Sequence, residues 1–465
     1  MKRITVMLLV FVLVFSLLAC SRSGSSDEGS QATPTLVPAS QELVEDTGQG
    51  EQDDSSGSAL TEDIIGITLP AASISGQKAT IMSWWDPAAE QTMTIAGKFN
   101  EFYGAELEFM MVGWGDLTTQ LISMLGAGIP PDLVMLRGED YPRYAGAGYL
   151  MPLDNLINYD TPLWAGMKPV IENMKYDGRI YNSPAGVGVN YFLWYNRDIF
   201  DNAGLEYPED LYARGEWTWP VLFDYIKAAA DPTGATEMYG LAGDANIIMC
   251  AMIMSAGSDT ARFEDGKYVL NNDDPNFIEV MNIMDDLYNN LDVMSPTDSS
   301  AEYFTSGRAA MFFDGMWMDY NEPLLTMHQR GTVSIIMFPQ WTAAGPNIQW
   351  AMMDGLAIPR GASNPELSAA VINMFRYIQV DPVEEEKGQA ELRQRGWTDF
   401  EIDMLDEAGS FAVPMVGFSL GSLSSEIWML SRRFTWGQSF SSAWSEQEPL
   451  CQQALDEFNE LMSGS

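Results

Sequence analysis

The feature that most restricts the fold of this chain is an alternation of short apolar runs with one-sided helical patterns, which starts at Lys78. Residues 79–84 form a short apolar run typical of a buried strand. The apolar side chains that follow are three or four residues apart, as on one face of a helix: Ala89, Met93, Ala96, Phe99 and Tyr103. The pattern therefore predicts a strand followed directly by a helix.

The same alternation continues along the chain. Two further apolar runs, with a helical pattern between them, follow the first pair: residues 105–112, residues 132–136, and Leu117, Leu121 and Leu125. Much later, residues 333–337 are apolar again, and Asn364-Pro365 is typical of a helix start. Repeated strand–helix units predict an α/β fold with a mainly parallel sheet covered by helices.

The first residues have the layout of a secretion signal. Lys2 and Arg3 precede an apolar run over residues 4–19, which is short for a bilayer span of about 20 residues. The run ends in LLAC at Cys20, which resembles the lipobox of bacterial lipoproteins. That resemblance implies a signal peptide over residues 1–19 and a lipid on Cys20. The alternative is an ordinary signal peptide with a chance cysteine.

Residues 20–76 have a different composition, rich in Ser, Gly, Gln, Thr and Pro. Between Ser23 and Gln77 there are ten acidic residues and no basic one. Because few large side chains are available to offset the entropy of ordering, the segment is expected to be a disordered, self-repelling tether. A tether with a lipid on Cys20 would hold the folded part at the outer face of the cell membrane.

The charge balance and the cysteine count limit the possible partners. The chain has 24 Lys and Arg against 65 Asp and Glu, a formal charge of −41, which argues against nucleic-acid binding because phosphates require basic partners. With one histidine and no CxxC spacing, a zinc site is not expected, and no P-loop or dinucleotide fingerprint indicates a cofactor. Cys250 and Cys451 either form a disulfide or are buried free thiols, and we favour the thiols.

Five segments, in order, resemble the extracellular solute-binding proteins of family 1, which include maltose-binding proteins. Three of them are YAGAGYLMPLD from Tyr144 to Asp154, YFLWYNRDIF from Tyr191 to Phe200, and FTSGRAAMFFDGMW from Phe304 to Trp317. The resemblance weakens after Asp381, where residues 384–409 look like an insertion or a local variant.

The resemblance implies a periplasmic-binding-protein-like fold, in which two doubly wound α/β lobes are joined by a hinge that the chain crosses about three times. By this analogy, lobe one comprises residues 77–188 and 309–350, and lobe two comprises residues 189–308 and 351–465. Hinge closure on a mono- or oligosaccharide, followed by delivery to the transmembrane subunits of an ABC importer, is the implied function of a monomeric, non-enzymatic protein.

The candidate ligand-binding residues combine aromatic faces with carboxylates. Aromatic rings cover the apolar C–H faces of a sugar, and carboxylates accept hydrogen bonds from its hydroxyls. Ligands of open α/β sheets bind beyond the carboxyl ends of the strands, and Trp85, Asp86 and Glu139 follow predicted strands. The alternatives are packing for Trp85 and a helix N-cap for Asp86. Glu139 also falls where maltose-binding proteins carry an acidic residue.

The other candidates follow from the family resemblance. Trp317 matches the family's stacking tryptophan, and Asp314 lies in the same motif, with turn stabilisation as its alternative role. Two pairs flank expected hinge crossings: Tyr191 with Trp194, and Trp350 with Asp354. Because side chains alternate along a strand, one of Tyr191 and Trp194 is expected to face the core.

Two other functions remain open from the sequence. The same fold could bind a cation such as a polyamine, and carboxylates converging on one point would favour that ligand. A secreted glycoside hydrolase would use a carboxylate pair, but no pair stands out. The Gly-x-Ser-x-Gly pattern at 417–421 does not support a serine hydrolase, because the only histidine, His328, precedes Ser419.

Overall fold

The computed structural model describes residues 69–463 except 187, 232, 236, 297–300, 352 and 353. The expected signal peptide, Cys20 and the tether up to residue 68 lie outside the described residues. The strands are β1 Lys78–Ser83, β2 Glu106–Met111, β3 Leu133–Leu136, β4 Tyr191–Asn196, β5 Tyr239–Gly243, β6 Ala261–Glu264, β7 Lys267–Leu270, β8 Ala309–Gly315, β9 Val333–Ile336, β10 Gln349–Ala351, β11 Gly355–Ala357 and β12 Ala412–Pro414.

The α-helices are α1 Glu90–Tyr103, α2 Leu117–Ala127, α3 Arg143–Gly146, α4 Lys168–Asn173, α5 Arg197–Ala203, α6 Pro208–Ala213, α7 Trp219–Ala229, α8 Ala245–Ser255, α9 Pro275–Asp285, α10 Ala301–Thr305, α11 Leu324–Gln329, α12 Pro365–Ile378, α13 Pro382–Gln394, α14 Asp399–Ala408, α15 Leu423–Thr435 and α16 Phe440–Ser463. The strand–helix order predicted from periodicity is confirmed for β1 to β3 and for α12. The side chain of Asn364 caps α12 by accepting from the Leu367 N–H (3.1 Å).

The first lobe is built on a sheet of order β11-β3-β1-β2. β1 lies parallel to both β2 and β3, whereas β11 runs antiparallel to β3. Apolar residues of α1, α2 and α12 join those of the strands in one hydrophobic core. This lobe is the mainly parallel, helix-covered sheet that the sequence predicts.

The second lobe has a mixed sheet of order β5-β8-β4-β9, in which β5 and β8 are parallel and β4 runs antiparallel to β8 and β9. Its core is centred on α8, which is buried along nearly its whole length. A helix that is apolar on all sides is typical of the centre of a domain. The fold is thus two α/β lobes, each with its own core.

The expected lobe boundaries are wrong for residues 309–350, assigned to lobe one, and for residues 351–378, assigned to lobe two. β8 and β9 pair with β4, so residues 309–350 belong to the second lobe and not to the first. Residues 351–378 belong to the first core, and the chain returns to the second core by Leu392. Within the described residues the chain crosses between the cores three times: between 180 and 189, at 350–351, and between 378 and 392.

The folded part also begins earlier than the expected tether boundary at residue 76. Ile74 is fully buried in the first core, and the Pro70 carbonyl accepts a hydrogen bond from the Tyr103 hydroxyl (3.1 Å). Residues 69–76 therefore pack against α1 and are not part of a disordered segment.

Within the described residues, no helix combines the length and the apolar character needed to cross a membrane. Cys250 and Cys451 are both buried and free, as favoured above.

The segment at 384–409, which had looked like an insertion, contains most of α13 and all of α14. A buried polar cluster attaches these helices to the second lobe. Its members, which we call the His328 cluster, are His328, Asp319, Glu401, Arg395 and Trp397. The Trp397 Nε1–H donates to Asp319 (2.5 Å), and His328 Nε2 lies 3.3 Å from Glu401 Oε1.

Candidate ligand-binding site

The strands bring the same edge of each sheet into the region where the chain crosses between lobes. In the first lobe, the parallel strands β1, β2 and β3 all end at one edge, and β11 starts there because Gly355 pairs with Leu136. In the second lobe, β5 and β8 end at one edge, and β4 starts there because Tyr191 pairs with Gly315. These carboxyl-terminal edges are where open α/β sheets bind ligands.

An aromatic cluster lies at the edge of the second sheet. The rings of Tyr191 and Trp350 are stacked, with centroids 5.1 Å apart and planes inclined by 12°. Trp317 meets Tyr191 edge to face at 5.2 Å, and Phe418 meets Trp350 edge to face at 5.2 Å. Trp350 is only 2% exposed, so it backs Tyr191, while Tyr191 and Trp317 are partly exposed. The two exposed rings present aromatic surface on the edge.

Gly315 allows Trp317 to take this position. A Cβ atom built on Gly315 would lie 2.2 Å from the indole of Trp317, well inside contact distance. The backbone of Gly315 is extended, at φ −70° and ψ 153°, so the requirement for glycine comes from the indole and not from the backbone angles. The glycine of the DGMW motif thus sets the position of the tryptophan two residues later.

Replacing Gly315 with alanine is expected to displace the Trp317 indole and to cost about 1–3 kcal/mol of stability, as overpacking does. Near-ultraviolet circular dichroism should report the lost Tyr191–Trp317 contact, and chemical denaturation the stability. Gly97→Ala is the control, because nothing lies within 4 Å of a Cβ there. An unchanged aromatic spectrum in Gly315→Ala would contradict this role of the glycine.

The charges of three aspartates at the two sheet edges act on the hydroxyl of Tyr191. Asp244 caps α8 by accepting from the Asn246 N–H (2.8 Å), Asp314 accepts from the Gly315 N–H (2.6 Å), and Asp354 accepts from the Gly138 N–H of the first lobe (2.8 Å). Burial raises the pKa of Tyr191 well above its ordinary value, and the charges of these aspartates raise it further. One of these carboxylates, that of Asp354, acts on Tyr191 from the edge of the other lobe's sheet.

Asp314 is the carboxylate most affected by these surroundings. Burial raises its pKa to about 7, the hydrogen bond from Gly315 opposes that shift, and the charge of Asp244 adds to it. When protonated, the carboxyl can donate as well as accept a hydrogen bond. No group of three or more His, Cys, Asp or Glu side chains in the described part of the chain is arranged to hold a metal ion.

The first lobe contributes a second set of aromatic and charged groups at its sheet edge. Trp114, which is 37% exposed, packs edge to face against Trp84 at 4.6 Å, and the Arg137 guanidinium lies 5.3 Å from its ring centroid. Arg137 also forms a two-pronged ion pair with the buried Asp140 (2.6 and 2.9 Å). This pair fixes the guanidinium, and Trp114 offers an indole face to solvent.

The two lobes touch directly beside this region. The turn Gly138–Asp140 of the first lobe contacts the turn Gly417–Ser419 of the second, which carries Phe418. Asp259 supports the second turn by accepting from the N–H groups of Val416 (2.7 Å) and Gly417 (2.9 Å). Ser419 therefore lies in an interlobe turn, whereas His328 is buried in its own cluster, which gives no basis for a serine hydrolase.

The structure brings five of the predicted site residues together: Tyr191, Asp314, Trp317, Trp350 and Asp354. Trp194 was a wrong choice, because it is fully buried and packs edge to face on His328. Trp85 was also wrong, because it is 5% exposed between the rings of Phe109 and Phe375 in the first core.

The two acidic candidates that follow the first-lobe strands have different outcomes. Asp86 is exposed and accepts from the Ala88 N–H (2.8 Å), which is a local turn contact outside the aromatic cluster. Glu139 lies in the turn Gly138–Asp140 that contacts the second lobe, but its side chain lies outside the described residues. Its role stays a prediction.

One residue at the edge of the second sheet was missed in the sequence. Asp244 directly follows β5, so the rule that ligands bind beyond strand ends would have selected it if β5 had been recognised.

The two α/β lobes are those of a periplasmic binding protein. The family model for bacterial extracellular solute-binding proteins matches residues 76–375, and the chain belongs to this family. Members of the family are solute-binding components of transporters. Among curated relatives, the diacetylchitobiose binding protein DasA of Streptomyces coelicolor is 22% identical over 289 residues, which are 60% of this chain and 64% of that protein.

Solved structures of sugar-binding proteins have the same fold. An ABC substrate-binding protein of Listeria monocytogenes in complex with cycloalternan aligns with a TM-score of 0.62 at 17% identity, over 83% of this chain and 99% of that one. The sugar-binding protein MalE of Xanthomonas citri aligns with a TM-score of 0.64 at 15% identity, over 83% and 100%. At these identities the likeness shows the fold alone.

Proposed function

We propose that this protein is an extracytoplasmic lipoprotein that captures a mono- or oligosaccharide between its lobes and delivers it to an ABC importer. The observation that carries the proposal is the aromatic cluster of Tyr191, Trp317 and Trp350, which lies beside Asp314 and Asp354 where the two lobes meet. DasA, which is named for binding diacetylchitobiose, supports it as a relative in sequence, and the Listeria protein, solved in complex with cycloalternan, supports it as a relative in fold.

The physical chemistry of the cluster suits a sugar ring. The partly exposed faces of Tyr191 and Trp317 can cover C–H surface, and the aspartates can accept hydrogen bonds from hydroxyl groups. A buried hydroxyl without a partner is costly, so acceptors fixed by backbone hydrogen bonds give selectivity as well as affinity. Asp354 and Asp314 are fixed in this way by Gly138 and Gly315.

Capture would proceed by closure of the lobes. Because Asp354 belongs to the first sheet edge and Tyr191 to the second, a ligand that touches both favours the closed arrangement over an open one. The crossing at 350–351 joins Trp350 of the second core to Ala351 of the first. A lipid on Cys20 would keep the protein close to the transmembrane subunits that receive the ligand.

Replacing Trp317 with alanine is expected to weaken sugar binding at least tenfold, because the change removes a stacking face. A thermal-shift screen of mono- and oligosaccharides identifies the ligand, and calorimetry on wild type and variant gives the affinities. Small-angle scattering of the wild type should show compaction when that ligand is added.

The control for this variant is Phe263→Ala, since Phe263 is 65% exposed on the β6–β7 hairpin outside the aromatic cluster. Equal affinity of Trp317→Ala and wild type would remove Trp317 from the site. If no sugar in the panel binds, or if scattering is unchanged by the sugar that does, the proposed capture by closure is wrong.

A further inference from the structure

We propose that helix α13 is a strut between the two lobes, and that the ion pair of Lys98 with Glu384 at its first-lobe end stabilises the arrangement in which the lobes touch. The ion pair acts on the closure step of the function proposed above, so its effect on ligand affinity rests on that function. Its effect on the ligand-free protein does not depend on any ligand.

The third crossing between the two cores is made by a helix. α13 has 13 residues, which at about 1.5 Å each extend about 20 Å. It begins soon after Ile378 of the first core and reaches Leu392 of the second. Within α13, all of which the structure describes, only Glu384 near the start and Leu392 near the end are buried. The helix is therefore anchored near its two ends.

The first-lobe end of α13 is held by Lys98 of α1. The Lys98 Nζ lies 2.6 Å from Glu384 Oε1 and 3.9 Å from Asp381 Oδ2. The side chains of Lys98 and Glu384 are 14% and 4% exposed, so salt screens their attraction less than it would screen a surface pair. Asp381 also caps the helix by accepting from the Val383 N–H (3.0 Å). Lys98 thus holds both the cap and the first turn of α13 to the first lobe.

The His328 cluster holds the other end of the strut to the second lobe. Directly after α13, the Arg395 Nη1 lies 3.4 Å from Asp319 Oδ1, and the Trp397 Nε1–H donates to the same carboxylate (2.5 Å). A Cβ atom built on Gly396 would lie 2.6 Å from the Gln329 backbone nitrogen, so the two backbones are in direct contact there. With both ends fixed, α13 restrains the angle between the lobes.

The ion pair is formed in an arrangement in which the lobes touch. Besides the contact between the turns at 138–140 and 417–419, α3 of the first lobe meets α16 of the second, where a Cβ atom on Gly146 would lie 3.2 Å from Leu461 Cγ. Because the far end of α13 is fixed to the second lobe, separation of the lobes draws its first turn away from Lys98. The free energy of the ion pair therefore belongs to the touching arrangement and raises its population.

Lys98→Met tests the strut, because methionine keeps the apolar stem of the side chain and removes its charge. Glu384 retains Lys387 as a partner (2.8 Å), so no buried carboxylate is left alone. Small-angle scattering of the ligand-free full chain should show a larger radius of gyration than in the wild type. Hydrogen exchange in the turns at 138–140 and 417–419 should be roughly threefold faster or more, because they lose their contact with each other.

The same variant should bind sugar more weakly, because a smaller fraction of the protein is in the arrangement that binds. We expect about three- to tenfold lower affinity, measured by calorimetry with the sugar that gives the largest thermal shift in the wild type. Glu384→Gln should have the same effects, since Lys98 keeps Asp381 nearby. The double variant should add little to either, because both substitutions break one ion pair.

Glu209→Gln is the matched control. Its carboxylate is 20% exposed and pairs with Arg197 at 2.7 Å, but both residues belong to helices of the second lobe. The loss of this pair should change neither the radius of gyration nor the affinity for sugar. Far-ultraviolet circular dichroism of each variant verifies that the fold is kept.

The outcomes separate the strut from the proposed function. If Lys98→Met and Glu384→Gln match the wild type in scattering and exchange, the strut is wrong and the sugar-binding function stands. If both variants open but no sugar in the panel binds the wild type, the proposed function is wrong and the strut stands. Opening of both variants with unchanged sugar affinity would overturn the link between the ion pair and closure on the ligand.

Discussion

Replacing Glu401 with alanine is expected to lower the free energy of unfolding by about 3–5 kcal/mol, the range for breaking a buried ion pair by removing one partner. Glu401 is 1% exposed and accepts hydrogen bonds from the Ser334 hydroxyl (2.6 Å) and the backbone N–H groups of Ile335 (3.0 Å) and Thr398 (2.7 Å). His328 lies against the same carboxylate. Alanine would leave a buried cation and several buried donors without their acceptor.

Chemical denaturation of the variant and the wild type measures this loss. Asp403→Ala is the control, because Asp403 is an exposed acidic residue two positions further along the same helix, and its removal should change stability by less than about 0.5 kcal/mol. Glu401→Gln should lie between the two, since it keeps an acceptor and loses the charge. A loss below about 1 kcal/mol for Glu401→Ala would show that the His328 cluster does not hold α14 to the second lobe.

The burial of the His328 cluster could not be predicted from the sequence. His328 lies near the end of α11, yet it is only 2% exposed. Its partner Glu401 is 73 residues away, inside the segment that had looked like an insertion. Apolar periodicity identifies which helix face is buried, but it does not identify polar side chains that become buried by pairing with a distant partner.

The strands and helices of the first lobe were predictable because short-range sequence patterns determine them. The helix spacing from Ala89 to Tyr103 corresponds to α1, and the expected helix start at Asn364 is a real side-chain cap. The assignment of residues 309–350 failed for the opposite reason. An apolar strand such as β8 can pair in either sheet. It pairs with β4, for example Asp314 with Phe192, and because these residues are far apart in the sequence, no local pattern predicts the pairing.

The candidate site was predictable in part, and strand geometry explains which part. Tyr191 and Trp194 are an odd number of residues apart on β4, so they face opposite sides of the sheet, and only Tyr191 lies in the aromatic cluster. Trp84 and Trp85 directly follow β1 and are both buried, but Trp84 contacts the partly exposed Trp114 whereas Trp85 packs between Phe109 and Phe375. The sequence pattern identifies candidate residues at these positions. It does not show which of two nearby residues faces the ligand, because that depends on the residue at which each strand begins.

The His328 cluster is further expected to make the protein less stable in alkaline solution. Burial alone lowers the pKa of His328, but its contacts with Asp319 and Glu401 outweigh burial and raise the pKa to about 9, above the ordinary value of about 6.5. Protonation is thus more favourable in the folded state than in the unfolded state. The resulting stabilisation is fully present below pH 6.5 and is lost as the pH rises through 9.

The measurement is the free energy of unfolding of wild type and His328→Gln at several pH values from 6 to 10. A pKa raised from about 6.5 to about 9 corresponds to a contribution on the order of 3 kcal/mol. The stability difference between the two proteins should therefore be largest near pH 6 and should shrink by roughly that amount by pH 10. Tyrosines and lysines that titrate in the same range affect both proteins alike, so the difference isolates His328. Parallel curves over the whole range would mean that His328 is neutral in the folded protein, and that Glu401 is held by its hydroxyl and backbone donors alone.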